Sequence, residues 1–393
     1  MRTRTRVGRW LVGGLVAAGL PARAAAQTVA AGPRDAVQAS VTTTTVFDDN
    51  IFGRETAASD AILRVTPGLN LTLVRPHFGM AFGISFDAER YQTHQDLSSV
   101  QARQSGTWAA SYRASPRTTW SWTADHSTTT NPTELNALTA LNVDRQRASR
   151  WQGGSAVRQQ AGQHAVFDLA YTFSRDALSA ASVTTTHTVD ARLTRKPTVH
   201  TDFFMHAAGR HFDFGKTGIA PVNSTLVTAG WAMHRKSAHL TAEGGVEASH
   251  LTLGSTVEVS AGWRFGQTDV TGGYGRGTTT AFGVAGTVAV DHVQGSVIYQ
   301  GRPTVRAAAG HCTTGLHIGV RVGASRNLLP TGSSTGLQWA ADLTRPISRT
   351  LSLQIGYDGS TQRGFAGTPG VVVGDVRRNR VMFALSFFPW SPR

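Results

Sequence analysis

The sequence predicts an all-β fold, a closed antiparallel transmembrane β-barrel of about 18 strands, with 16–20 tolerable. Three observations carry the prediction. Apolar and polar residues alternate with a period of two along most of the chain, short turns alternate with long polar segments, and charged residues make up only 16% beside 42 glycines. Such a composition suits many strands and turns better than charge-laced helices.

Taken in order, the chain opens on MRTRTRVGRW, followed by the short apolar stretch LVGGLVAAGL and the small residues PARAAA. A basic start, an apolar centre and a small-residue end are the parts of a secretory signal peptide, expected over 1–26 with cleavage after Ala26. The apolar run from Trp10 to Leu20 is about half the roughly 20 residues a membrane-spanning helix needs. Residues 27–37 are expected to form a short N-terminal periplasmic segment, and 38–393 the barrel. Loss of Arg2, Arg4, Arg6, Arg9 and Arg23 would lower the formal charge from +14 to +9. Beyond residue 26 no apolar run approaches the length that would stop the chain in the inner membrane as a helix.

The strands are read from their two faces. Phe78, Met80, Phe82, Ile84, Phe86 and Ala88 oppose Gly79, Ala81, Gly83, Ser85, Asp87 and Glu89. Phe167, Leu169, Tyr171 and Phe173 oppose Asp168, Ala170, Thr172 and Ser174, and Val257, Val259, Trp263 and Phe265 oppose Glu258, Ser260, Gly262 and Arg264. Near the end, Leu351, Leu353, Ile355 and Tyr357 oppose Ser352, Gln354, Gly356 and Asp358. A soluble sandwich and a membrane barrel both alternate in this way. The polar faces here are Gly, Ser, Thr and Ala rather than dense Lys and Glu, and runs of about 9–14 residues fit a tilted transmembrane strand. The final strand is expected over Arg380–Phe388, ended by Pro389, which cannot donate to a ladder.

Tight turns are expected at Arg75-Pro76-His77, Ser115-Pro116-Arg117, Ala161-Gly162-Gln163, Lys196-Pro197, Lys236-Ser237, Gly266-Gln267, Asp291-His292 and Pro346-Ile347-Ser348. Longer polar segments lie between them at 92–100, 128–150, 214–223 and 361–376. Short periplasmic turns facing longer outer loops are the asymmetry of an outer-membrane barrel. Thr304-Val305-Arg306-Ala307 reads as either a weak strand or part of a loop.

Several classes of chemistry find no support. Basic residues are scattered among strands without a nucleic-acid reader motif. Cys312 is the only cysteine, so thiolate-pair metal sites and internal disulfides are excluded. It reads as a small apolar side chain in the interior or against lipid. His311 and Cys312 point to opposite faces of a strand and cannot readily share an ion. Gly272-Gly273-Tyr274-Gly275-Arg276-Gly277 lacks the strand-to-helix context of a phosphate loop. His126, His187, His206 and His211 sit in no nucleophile motif, so an enzyme is not expected, nor a cofactor.

By alternation Asp87, Glu89, Asp125, Asp168, Asp190 and Glu258 face the lumen with Arg192, Arg264, His317 and Arg321. Both signs are present, which argues against a strongly selective ion pore and suits hydrated solutes held by hydrogen bonds.

Near the N-terminus, Val46-Phe47-Asp48-Asp49-Asn50-Ile51-Phe52 leads through Ser59-Asp60 to Thr66-Pro67-Gly68-Leu69-Asn70-Leu71, with Tyr91 some way on. This stretch, about residues 38–95, resembles the β-barrel porin 2 family of outer-membrane proteins, often associated with exopolysaccharide or capsule biosynthesis and export. The resemblance implies an 18-stranded type of barrel and a part in polysaccharide secretion, with outer-membrane lipid, lipopolysaccharide and periplasmic export proteins as partners. The residues themselves allow a general diffusion porin for small hydrophilic solutes as the alternative. Asp48, Asp49 and Asn50 read locally as a strand-ending turn, with a cation or sugar site as the sharper possibility.

Overall fold

The computed structural model describes residues 35–389, apart from 137, 179–181, 250–252, 283, 285, 302–303, 307–310, 314, 330–331, 349 and 365–374. The expected signal peptide and most of the 27–37 segment lie outside the described residues, as does the side chain of Cys312. The strands are β1 Ala36–Asp48, β2 Asp60–Val74, β3 Phe78–Tyr91, β4 Ser99–Ser115, β5 Thr118–Thr129, β6 Ala148–Gln160 and β7 Ala165–Leu178. They continue with β8 Ser182–Arg195, β9 Thr201–Asp213, β10 Val222–His234, β11 Ala238–Ser249, β12 Leu253–Phe265, β13 Thr268–Thr279 and β14 Val288–Gln300. The last are β15 Thr304–Arg306, β16 His311–Thr313, β17 His317–Leu329, β18 Gly332–Pro346, β19 Leu351–Gly364 and β20 Val376–Phe387.

Eighteen strands form one antiparallel sheet in chain order, β14 passing directly to β17. The sheet closes where β20 pairs with β1, from Val41 opposite Phe387 to Asp48 opposite Arg380. Closure leaves no open edge, the condition for a sheet to sit in hydrocarbon. The short β15 and β16 pair only with each other, so Thr304–Arg306 is a strand of a small hairpin and not of the wall.

Alternation sorts the side chains as the sequence suggests. Ile84, Phe86, Val189, Leu193, Trp263, Val293, Val320, Val322, Phe383 and Leu385 are exposed on the outside, whereas Thr42, Thr66, Ser85, Asp125, Thr188 and Gln354 line the interior cavity. Both described ends of the barrel, Ala36 and Phe387, lie at the rim of the short turns. The opposite rim carries most of the longer connections, including 49–59, 92–98, 130–147 and 280–287, whereas the β15–β16 hairpin stands in the β14–β17 connection at the short-turn rim.

Several features differ from expectation, among them the long segment expected from 361, which is still strand β19 through Gly364. Asp291 and His292 make no turn; they lie within β14, because Val288, Val290, Val293 and Val297 supply a continuous strand pattern and each polar residue finds a place. Asp291 faces Arg276 on the outside, with Nε and Oδ1 3.6 Å apart, and the His292 ring lies over Gly275, where any Cβ would clash. β20 begins at Val376 rather than Arg380, because residues 376–379 pair with Gly359–Gln362 of β19 while the Arg378 side chain turns inward to Asp48, and it stops one residue short of Phe388. β1 starts at Ala36, two residues before the expected barrel boundary.

Pro67 illustrates how a proline is carried in a closed wall. Its pairing with Val41 of β1 is intact, but the β2–β3 ladder lapses between Val65 and Gly68, on the side where Pro67 has no N–H to give. Gly68 then leaves room for the Ser40 hydroxyl, which would lie 2.9 Å from an added Cβ.

Candidate functional site

The lumen holds a cavity of about 1330 Å³ lined by strand side chains and by part of the 130–147 connection. Asp87, Asp125, Asp190 and Glu258 line it. Glu89, Asp168, Arg192, Arg264, His317 and Arg321 lie on the same inward faces of their strands, and most are engaged along the wall. Arg158 holds Asp168 with Nε–Oδ1 at 2.6 Å, Arg264 holds Asp269 at 2.6 Å, and Asp342 takes both Arg321 at 2.9 Å and His317 at 3.3 Å. Arg192 stacks over the Phe204 ring at 3.7 Å. His206 bridges Asp190 at 3.0 Å and Glu243 at 3.2 Å. Asp125 and Glu258, by contrast, have no ion-pair partner among the described residues.

The histidines do not converge. His206 is inward and His211, five positions on, is outward, where it bonds Asn223. His187 is outward beside Tyr171, and His126 stacks on Trp151, also outside the lumen.

The dominant feature of the lumen is a segment whose polar sequence marks it only as an outer loop. Residues 130–147, between β5 and β6, fold inward and cross the mouth as a strap. On the far side Ser325 Oγ and Asn327 Nδ2 of β17 donate to the Thr139 carbonyl at 2.8 and 2.7 Å. The Asn142 amide donates to Gln362 Oε1 of β19 at 2.6 Å. β6 is sixth in the ring of eighteen and β17 fifteenth, so these contacts join opposite walls. At the 280–287 connection the Asn136 side chain donates to the Phe282 carbonyl at 3.2 Å and accepts from its N–H at 2.8 Å.

Apolar packing reinforces the crossing. Leu141 is buried with Ala281, Val284, Val288, Val290 and Leu329, and Val143 with Ala148, Leu178 and Phe282. The strap is also locally strained. Ala140 has φ of 51°, a left-handed conformation that costs an L-residue about 1–2 kcal/mol and persists only when its surroundings impose it. Gly336 on β18 makes that approach possible, because a Cβ there would lie 2.5 Å from the Ala140 Cβ.

The near end of the strap is held by charge. Glu134, in a short helical turn Pro132–Leu135, receives Arg103 of β4 at 2.5 Å and Arg380 of β20 at 3.1 Å. Arg380 also binds Asp358 at 2.7 Å, and Arg64 binds Glu89 at 2.7 Å beside Asp87. Burial by itself would raise the Glu134 pKa, but the guanidinium of Arg103, followed by those of Arg380, Arg64 and Arg378, holds it down at about 2. The carboxylate is therefore ionised throughout the ordinary pH range, a fixed anchor rather than a titrating switch.

The Asp48–Phe52 motif sits beside this cluster, at the seam where first and last strands meet. The buried Asp48 carboxylate accepts from Arg378 Nε at 3.1 and 3.0 Å and from its Nη2. Asp49 accepts from the Asn379 N–H and side chain, both at 2.6 Å. Asn50 donates to the carbonyls of Arg54 at 2.6 Å and Arg377 at 2.9 Å. Ile51 is buried with Val46, Ile62 and Tyr91, and Phe52 packs on that cluster and edge-on to His94. Both carboxylates are thus consumed in closing the barrel, which displaces the cation-site reading.

Nothing local in the sequence marks Glu134, Arg103, Arg380, Asn136 and Gln362 as a set. Alternation places Arg103 and Arg380 inward, but it says nothing of a loop carboxylate folded back between them.

An outer wall of exposed aliphatic and aromatic side chains around a polar interior is built for a bilayer, and a closed antiparallel barrel of this kind spans outer membranes. The chain is an outer-membrane β-barrel. No family model and no curated protein matches it. Among solved structures it is similar to Pseudomonas aeruginosa OpdQ, at 12% identity over 91% of this chain and 98% of that one, with a TM-score of 0.45. It is similar to P. aeruginosa OccK2 (OpdF), described in complex with glucuronate, at 10% identity over 90% and 98%, TM-score 0.45. The ferric enterobactin receptor PfeA of the same organism gives 8% identity over 90% and 80%, TM-score 0.46.

Proposed function

We propose that the protein is a passive diffusion channel for small hydrophilic solutes, with residues 130–147 as its constriction. The single observation that carries this reading is the strap, anchored on opposite walls of an 18-stranded barrel. Barrels of about 16–18 strands enclose an aqueous channel unless something fills it, and a fixed strap reduces that channel to the scale of side chains. The lining of hydroxyls, glycines and wall-paired charges favours hydrated, weakly interacting cargo over one ionic species. Polysaccharide export, which the resemblance to the β-barrel porin 2 family implies, gains no support from a strap across the route of a long polymer. Liposome swelling with sugars and amino acids of graded size tests the proposal. Rapid swelling with mono- and disaccharides and none with longer oligosaccharides is the expected result. Equal permeation of long oligosaccharides, or no permeation by any solute, would refute it.

A further inference from the structure

One arc of the outer wall near the loop rim carries a row of basic residues above apolar ones. There a single cross-strand row runs Arg276 of β13, Asp291 of β14, Arg326 of β17, Thr335 of β18 and Arg363 of β19, each opposite the next in register. Arg377 of β20 lies opposite Thr361, just below the row. All four arginines share the outward face with Tyr274, Val293, Val322, Tyr357 and Val381, which are exposed. Arg276 is turned toward Asp291, 3.6 Å away. Arg326 and Arg363 have no acidic partner among the described residues, and they flank Thr335 across two strand spacings of about 4.8 Å each.

Beneath the row the wall is hollowed into a groove of about 820 Å³, with Val293, Ala324, Leu337 and Trp339 among its lining and Arg326, Arg363 and Arg377 at its edge. Trp339, which lines it, lies against Gly359 of β19, where an added Cβ would fall 2.5 Å from the indole. Asp291 and Asp375 also border the groove, the Asp375 amide being bonded to Glu55. The basic excess at the groove is therefore carried by Arg326 and Arg363 in the row and by Arg377 just below it.

We infer that this arc is a binding site for a phosphorylated glycolipid of the outer leaflet, that is, the lipid A part of lipopolysaccharide. Guanidinium groups bind phosphate in a bidentate fashion, the row lies at the loop rim where outer-leaflet headgroups sit, and the apolar groove continues below it at the depth of acyl chains. Charge and apolar surface thus occur in the order of the amphiphile itself. The inference rests on the bilayer-spanning wall and not on the transport reading.

The test measures retention of hexa-acylated, bis-phosphorylated lipid A by the refolded full chain, using native mass spectrometry. Dephosphorylated lipid A and phosphatidylglycerol serve as comparison ligands. Arg326→Gln/Arg363→Gln is expected to weaken binding roughly fivefold per arginine removed. Arg326→Lys/Arg363→Lys should restore part of it, and Arg175→Gln, which removes an exposed arginine on another arc, should change nothing. Heat-modifiable migration and conductance of all variants should match wild type, so that loss of binding is separable from misfolding. Unchanged binding in the double Gln variant would overturn the inference. Equal affinity of the wild type for dephosphorylated lipid A or for phosphatidylglycerol would do the same.

Discussion

Glu134 lies between Thr133 and Leu135 in a polar stretch, and its place in the molecule depends on two arginines contributed by strands distant in sequence. Because its pKa is held at about 2, below the ordinary value of 4.5, its ionised form stabilises the docked strap. That contribution is complete above pH 4.5 and is lost as the pH falls through 2. Channel opening frequency should therefore stay flat from pH 8 to about 5 and rise only toward pH 2. Opening that begins near pH 6 would mean another group holds the strap. At the seam, Asp48 has a side chain with 0% exposure and Arg378 one with 10%. Asp48→Ala leaves a buried guanidinium without its carboxylate, an expected loss of about 3–5 kcal/mol. Urea unfolding followed by tryptophan fluorescence measures it, and a loss under about 1 kcal/mol would show that Arg378 finds another partner. The sequence showed that Asp48-Asp49-Asn50 ends a strand. It could not show that the same residues grip β20, because register between first and last strands is a property of closure.

At the scale of elements, the period of two was readable wherever a strand had one face in lipid and the other in the lumen. Leu351–Tyr357 and Phe78–Glu89 needed nothing more. Reading failed where local chemistry and pattern disagreed. Asp291-His292 looked like a turn, but valines on both sides and partners on both faces kept it in β14. Residues 130–147 looked like an exposed loop, since polarity marks a segment as irregular without saying which way it folds. Leu135, Leu138, Leu141 and Val143 within that segment were the available signal, an apolar content greater than a solvated loop requires. The lipid-facing assignment is tested at Val322, 52% exposed near the middle of β17. Val322→Arg should cost about 2–4 kcal/mol at the bilayer midplane, while Gln338→Arg on the lumen face of β18 should leave folding nearly unchanged. Equal costs in a lipid-vesicle refolding titration would contradict the orientation of the wall.

For the whole molecule, strand number and closure were accessible because most hairpins, the β14–β17 joint excepted, declare themselves locally and an even count returns the chain to the starting rim. The strap was not accessible, since it consists of contacts between walls half a circumference apart. On the proposed function those contacts make the barrel's narrow point. Planar-bilayer recording on the refolded chain and on Gly336→Val tests this most directly, because the added side chain takes the space Ala140 occupies and should dislodge the strap. The wild type is expected to give small, steady conductance steps, and the variant larger steps with more frequent fluctuation. Identical conductance in the two proteins, or a wild type that conducts nothing while the variant also stays closed, would contradict the strapped-channel account.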